Sequence, residues 1–279
     1  MAAACRCGAV LLCCGALLCA FRLYGRARSR FGVQLPVRTV LQNPELPNGG
    51  EAASLAALLN YKGVPADKLD LAYGYIPRGD IEETTDGRTG PDPELAYAGD
   101  PAAGLGFYCF AQGANAYLAA QGSALRAADR TGVTGQGLLQ YLRGGDPVIV
   151  WITKDLSAPR TGGCTWLLAD TGETYVPYVN LHCVVLAGWD GDTCTIADPL
   201  QGRRRVDAAA FQANGQPRRR GALTKAGKRG ARRSLCGRKR LCGMTALAPA
   251  HAKRLAALCG PASVFCSKTL ALFCVFMIE

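Results

Sequence analysis

The stretch Leu35–Gly63 combines a proline-rich turn with a run of small and apolar residues at helical spacing. The residues before the turn alternate well enough for a short strand, and the prolines break that strand. Asn48 and Glu51, three positions apart, resemble a helix-capping pair. Small and apolar residues then recur at helical spacing until Gly63, a typical helix end. We therefore predict a strand, a sharp turn and a buried helix in that order.

A second stretch, NLHCVVLAGWDGDTCTIADPLQG at 180–202, predicts two successive strands joined by a tight turn. Further apolar runs between 146 and 179 also predict strands, whereas helical patterns are confined to the first half, at 107–121 and 134–143. Helices in the first half and strands in the second indicate an α+β fold.

The predicted hairpin carries one of only two histidines, His182, and an aspartate, Asp198. In an antiparallel hairpin, the residue numbers of each directly opposite pair add up to the same sum. Because 182 and 198 are both even, the two side chains lie on the same face of the sheet only if that sum is even. A two-residue turn at 190–191 would place them on opposite faces. A three-residue loop at 190–192 with a bulge sets Asp198 opposite Val184 and diagonal to His182, within reach. We predict the second arrangement.

Charge divides the chain into three parts. Residues 1–30 carry five arginines and no acid, residues 31–202 have a balance of −9, and residues 203–279 have a balance of +15, within a total of +11. The predicted domain is therefore acidic and would repel a phosphate backbone. We accordingly predict no nucleic-acid partner.

The folded domain is predicted to span residues 31–216, with both basic ends outside it. The uncharged run 8–21, within the N-terminal segment 1–30, fits a membrane anchor, which we favour, or an export signal. The domain is thus expected to be membrane-anchored or exported and extracytoplasmic. Residues 217–279 form a basic, low-complexity tail that is either a membrane-surface or nucleic-acid segment, a second anchor, or a disordered or out-of-frame end. The strand expected to close the sheet is missing from it.

Four of the fourteen cysteines fall within the predicted domain. No CxxC pair occurs there, so the sequence predicts no metal site, and no cofactor is implied. The four are either disulfide-bonded in an oxidising compartment or small buried hydrophobes, and we favour the latter. They are Cys109, Cys164, Cys183 and Cys194.

The motifs LPNGGEAASLAALLNYKG and LHCVVLAGWDGDTCTIADPLQG make the chain resemble the peptidase C39-like family, which are papain-like cysteine peptidases of bacteria. The resemblance runs from about Val33 to Phe211. It implies a papain-like fold in which N-terminal helices pack on an antiparallel sheet, and thiol-dependent hydrolysis of peptide bonds in intact members. The implied partner is a peptide or protein segment in the cleft, and the oligomeric state stays open.

In this family a glutamine supports the oxyanion, a cysteine at a helix start is the nucleophile, a histidine is the base and an aspartate orients it. By resemblance these positions correspond to Gln42, Gly50, His182 and Asp198. A thiol in a first helical turn beside an imidazolium has a lowered pKa, whereas glycine offers no nucleophile. Because loss of the nucleophile typically costs about 10⁶ in kcat, we predict that the chain as written is inactive.

No other residue is expected to replace the missing thiol. Ser54 lies one turn further along the helix, and Cys183 should face the side of the sheet opposite its histidine neighbour. Two hypotheses stay open. One is a cysteine peptidase active in its intact form, with Gly50 arising from a single base change, a sequencing error or gene decay. The other is a membrane-anchored, peptide-binding pseudopeptidase. A third, a basic membrane-surface protein, rests on the tail alone.

Overall fold

The computed structural model describes residues 32–85, 87–103, 111–214, 272–273 and 275–278. These stretches contain both helices and strands in one mixed fold, which confirms the α+β prediction. The helices are α1 (Gly50–Tyr61), α2 (Lys68–Asp70), a π-helical turn (Leu71–Tyr75), α3 (Ala111–Ala120), α4 (Gly135–Arg143) and α5 (Ala208–Asn214).

The strands of the described stretches form one large sheet and three small ones. In chain order they are β1 (Val33–Gln34), β2 (Arg78–Gly79), β3 (Glu82–Thr84), β4 (Gly87–Gly90), β5 (Tyr97–Ala98), β6 (Ala127–Asp129), β7 (Val133–Thr134), β8 (Val148–Thr153), β9 (Trp166–Leu168), β10 (Thr174–Tyr175), β11 (Leu181–Trp189), β12 (Thr193–Asp198), β13 (Gly202–Asp207), β14 (Leu272–Phe273) and β15 (Val275–Ile278). The main sheet has the order β13-β12-β11-β8-β15-β6, with β1 added to β11, and all its pairs are antiparallel. The smaller sheets are β10-β9-β4-β3, β14-β7 and β2-β5.

Helix α1 is the centre of the fold. Its first ten residues, Gly50 to Leu59, are all buried, because the helix packs on β11, β8 and β12 and is covered by α2 and the π-helical turn. A helix that is made mostly of small and apolar residues, and is buried on every side, is stable only in such a setting. The chain leaves α1 at Gly63, which has φ +81°, a conformation that favours glycine. The predicted helix and its end are confirmed.

The opposite face of the main sheet is covered by α4 and α5. Leu138 and Leu142 of α4 and Phe211 of α5 are buried against side chains of β8, β11 and β12. Thr134 caps α4 by accepting a hydrogen bond from Gly137 N at 3.3 Å. The sequence pattern located α4 but missed α5 and the strand β13 before it.

The predicted domain limit at Gln216 leaves out a strand that the sheet contains. Strand β15 lies between β8 and β6, with Val275 paired to Val150 and Ile278 paired to Ala127. Strand β15, from the region predicted to be the tail, thus takes the place of the closing strand that the sequence pattern did not show. Four apolar residues at the end of a basic segment give no periodic signal, so only the long-range pairing reveals this strand.

Other predicted segments fall partly or wholly outside the described residues. These include the apolar run 8–21, most of the tail and the first part of the helix expected at 107–121, which is seen from Ala111. No helix in the stretches that the structure describes is both long and apolar enough to cross a membrane. The described part of the segment 64–106 carries α2, the π-helical turn and β2 to β5.

Candidate active site

The N-terminus of α1 points into the cleft and lacks a side-chain cap. The capping residue is Gly49, so the prediction that Asn48 caps the helix is wrong. Asn48 is instead held through its backbone: its N–H donates to Pro101 O at 3.0 Å, and its carbonyl accepts from Tyr97 Oη at 2.8 Å. These contacts keep Asn48 in the turn, so the helix begins one residue later than the pattern indicated, with Gly50 as its first residue.

The backbone of Gly50 is oriented toward the predicted site residues. A Cβ built there would lie 3.1 Å from Gln42 Oε1, 3.8 Å from His182 Nδ1 and 3.8 Å from Cys183 O. Only the first distance is tight, and it involves the end of a flexible side chain. Position 50 can therefore carry a side chain that reaches the imidazole without moving the backbone.

His182 and Asp198 are in contact, as predicted. His182 Nε2 lies 2.7 Å from Asp198 Oδ1, and both side chains are buried. Val185 pairs with Ala197, so the continuing register sets Asp198 across from Val184. The predicted diagonal arrangement is confirmed.

The cause of this register differs from the prediction. Close to the turn, Trp189 pairs with Cys194 and Asp190 N donates to Thr193 O, so the turn has two central residues rather than three. That register alone would place the histidine and the aspartate on opposite faces. A β-bulge between Leu186 and Gly188 shifts the pairing by one residue and restores the shared face. The bulge predicted for the loop thus lies inside strand β11.

Asp198 is held in its ionised form. Burial opposes ionisation, but hydrogen bonds from His182, Leu200 N (2.9 Å) and Arg204 Nε (2.9 Å) outweigh it and lower the pKa of Asp198 to about 2. Arg204, on β13, was not singled out from the sequence. The only sequence signal for this contact is the alternation of side chains along each strand, which places Arg204 and Asp198 on the same face of the neighbouring strands β13 and β12.

Gln42 is brought to the site by the loop before α1. Its backbone N–H donates to Pro199 O at 2.9 Å, which ties the loop to the residue after Asp198. Its Nε2 donates to Pro47 O, and its Oε1 faces Gly50. The predicted oxyanion role needs an N–H donor on that side, so the amide would have to turn over to perform it.

Glu51 is a cleft residue that sequence reasoning treated only as part of a helix cap. It is buried next to Gly50, and burial raises its pKa to about 7, against smaller lowering effects of its own backbone N–H and of Lys154. Its place directly after the nucleophile position is the signal that could have marked it.

The cleft itself has a volume of about 160 Å³. It is lined by the start of α1, by Gln42, by the glycine pair 162–163 and by the start of β11. Lys154 and Tyr178 also line it. Within the described residues, no group of three or more His, Cys, Asp or Glu side chains is placed to hold a metal ion.

The alternative nucleophiles are poorly placed. Ser54 Oγ donates to Cys183 O at 3.2 Å, which joins α1 to β11, and it does not line the cleft. The Cys183 thiol is buried in the core with α1, and burial raises its pKa. Cys164, Cys183 and Cys194 are free thiols, and Cys109 lies outside the described residues.

Comparison with known proteins gives the family. The family model described as Peptidase C39 like matches residues 34–221, about two thirds of the chain. The chain belongs to the peptidase C39-like family. A crystal structure of a candidate C39-like peptidase from Bacillus anthracis is similar, with 30% identity and a TM-score of 0.56, covering 66% of this chain and 92% of that one. The uncharacterized protein YvpB of Bacillus subtilis is 28% identical over 186 residues, which are 65% of this chain and 72% of YvpB.

Membership of the C39-like family agrees with the resemblance of the two motifs and with the α+β fold. The structure brings Gln42, Gly50 and His182 together in the lining of the cleft, with Asp198 buried behind His182. Their chemical roles stay predictions.

Proposed function

We propose that this chain is a C39-like pseudopeptidase: it binds peptide segments in the cleft and does not cleave them through a thiol intermediate. The observation that carries the proposal is the direction of Gly50, whose missing side chain would point at His182 Nδ1. A nucleophile at this place would have its base 3.8 Å from its Cβ, with Asp198 behind the base. Glycine leaves the base without a nucleophile to activate.

A second candidate, a cysteine peptidase that is active in its intact form, is favoured by the same geometry. The ionised Asp198 and its contact with His182 are features that a working triad needs. In the pseudopeptidase these residues hold the cleft in shape, and in the peptidase they serve the restored thiol. The identity of residue 50 separates the two.

The variant Gly50→Cys tests both. We expect the introduced cysteine to react with an iodoacetamide or epoxide probe faster than the thiol of Ala158→Cys, an exposed position outside the cleft lining that serves as the matched control. Adding His182→Gln should remove the advantage, because the imidazole then no longer lowers the thiol pKa. Site-resolved mass spectrometry distinguishes residue 50 from the fourteen native cysteines.

The wild-type chain provides the other arm of the experiment. It should bind peptides from a random library and leave them intact, whereas Gly50→Cys should cleave a subset of them. Cleavage by the wild-type chain would contradict the pseudopeptidase, and cleavage by Gly50→Cys that survives His182→Gln would contradict the assigned base. If a cysteine at residue 50 reacts no faster than the control, residue 50 and His182 do not form the triad geometry that both candidate functions assume.

We also propose that the domain is anchored at the membrane or exported, as the apolar run 8–21 suggests. The support is the sequence of that run together with the acidic balance of the domain. Digestion of intact cells with an added protease tests this location. Protection of a C-terminally tagged chain, lost only on lysis, would argue for a cytoplasmic domain.

A further inference from the structure

The space beside Gly50 is surrounded by hydrogen-bond acceptors. We call it the Gly50 hollow and define it by Gly50, Gln42 Oε1, His182 Nδ1 and Cys183 O. The three acceptor atoms lie 3.1, 3.8 and 3.8 Å from the point where a Cβ of residue 50 would stand. The absent side chain therefore leaves a small polar space that opens into the cleft.

Gln42 is the decisive member of this set. Its side chain is 3% exposed, and its Oε1 has no hydrogen-bond partner within the described residues. The orientation of the amide follows from its other end, since Nε2 donates to Pro47 O and a reversed amide would set two carbonyl oxygens against each other. A buried acceptor without a donor is unfavourable, so this atom is ready to accept a hydrogen bond from a ligand.

His182 adds a second acceptor. Its Nε2 is engaged with the carboxylate of Asp198, which fixes Nε2 as the protonated nitrogen. In the neutral imidazole Nδ1 then carries a lone pair, and this lone pair faces the hollow.

An acidic side chain that is about half ionised near pH 7 lies at the same end of the cleft. Glu51 lines the cavity directly beside the hollow, and its carboxyl group accepts its own backbone N–H at the start of α1. This contact offsets part of the positive end of the helix, which would otherwise repel a cation. Lys154 also lines the cavity, but it is exposed, so solvent and salt screen its charge.

We propose that the Gly50 hollow binds a protonated primary amine of the bound peptide, either its N-terminal ammonium or a lysine side chain. An ammonium group has three N–H donors and no acceptor, which matches the acceptors of Gln42, Cys183 and His182. A carboxylate or an oxyanion would face the same acceptors and be repelled. The inference rests on the proposed peptide-binding function and names the chemical group that the cleft selects.

The test uses peptides selected on the full wild-type chain from a random library with free N-termini. Each selected peptide is resynthesised in two further forms, one acetylated at the N-terminus and one with every lysine replaced by norleucine. We expect one of the two changes to weaken binding at least tenfold, measured by calorimetry. Loss on acetylation identifies the N-terminal ammonium, and loss with norleucine identifies lysine.

Gly50→Ala provides the matching change in the protein. Its methyl group would occupy the hollow 3.1 Å from Gln42 Oε1, so it should weaken the amine-bearing peptide to the level of its capped form and leave the capped form unaffected. Val179→Ala, at an exposed position of the cleft lining away from the hollow, should change both forms equally. The peptide comparison needs no variant and so stands if Gly50→Ala fails to fold.

The outcomes separate the two levels of the proposal. A library that yields no binder would overturn the proposed function and the amine site together. Binders that tolerate both acetylation and norleucine, or that respond equally to Gly50→Ala in free and capped form, would overturn the amine site alone.

Discussion

Replacement of Asp198 by asparagine should remove a pH-dependent part of the stability. The carboxyl group is fully buried, and its pKa falls from 3.8 to about 2 because the hydrogen bonds of His182, Leu200 and Arg204 outweigh the cost of burial. One pKa unit corresponds to about 1.4 kcal/mol, so the ionised group stabilises the folded chain by about 2 kcal/mol relative to its protonated form.

The sign follows from the lowered pKa. The folded state binds its proton less readily than the unfolded state, so the contribution is complete above pH 3.8 and is lost as the pH falls toward 2. The difference in free energy of unfolding between wild type and Asp198→Asn should therefore shrink by about 1 kcal/mol between pH 5 and pH 3, and by about 2 kcal/mol by pH 2.

Urea denaturation of both full-length chains across this pH range measures the difference. Asp170→Asn is the control, because Asp170 is exposed in a turn after β9 and should give a small difference at every pH. The difference in free energy of unfolding between wild type and Asp198→Asn should change with pH, unlike that of the control. If it stays constant, Asp198 is not a buried, ionised partner of His182.

Two further predictions concern other buried groups. Because burial raises the pKa of Glu51 from 4.5 to about 7, its ionisation opposes folding as the pH rises through that window; Glu51→Gln should match wild type near pH 4 and be more stable by on the order of 3 kcal/mol at pH 8. A less stable Glu51→Gln at pH 8 would contradict this. In the native chain, iodoacetamide should modify the half-buried Cys164 before Cys183 and Cys194, for which burial raises the pKa, to about 12 for Cys194. Equal rates by site-resolved mass spectrometry would show that the core around them opens.

The sequence predicted those parts of the fold that local patterns determine. Helix α1 has a periodic apolar pattern and a glycine stop, and the hairpin of β11 and β12 has two apolar strands around a turn, so both were located. The contact between His182 and Asp198 was predicted, but from a three-residue loop that the structure does not have, because the shift of register comes from the bulge in β11.

The parts that the sequence did not predict depend on distant contacts. Strand β15 is defined only by its pairing with β8 and β6. Asn48 does not cap the helix because its backbone forms hydrogen bonds with Tyr97 and Pro101. The burial of Glu51 depends on the elements that pack around α1. None of these has a short-range signature.

The bulge in β11 makes the His182–Asp198 contact a matter of parity. The two residues are sixteen positions apart. The register of the two-residue turn alone would place their side chains on opposite faces of the sheet, and the bulge shifts that register by one residue and returns them to the same face. A single inserted or deleted residue anywhere in this hairpin inverts one side chain to the far face, whereas two changes together are tolerated. Length variation among relatives is therefore expected to occur here in pairs, or together with the gain or loss of the bulge.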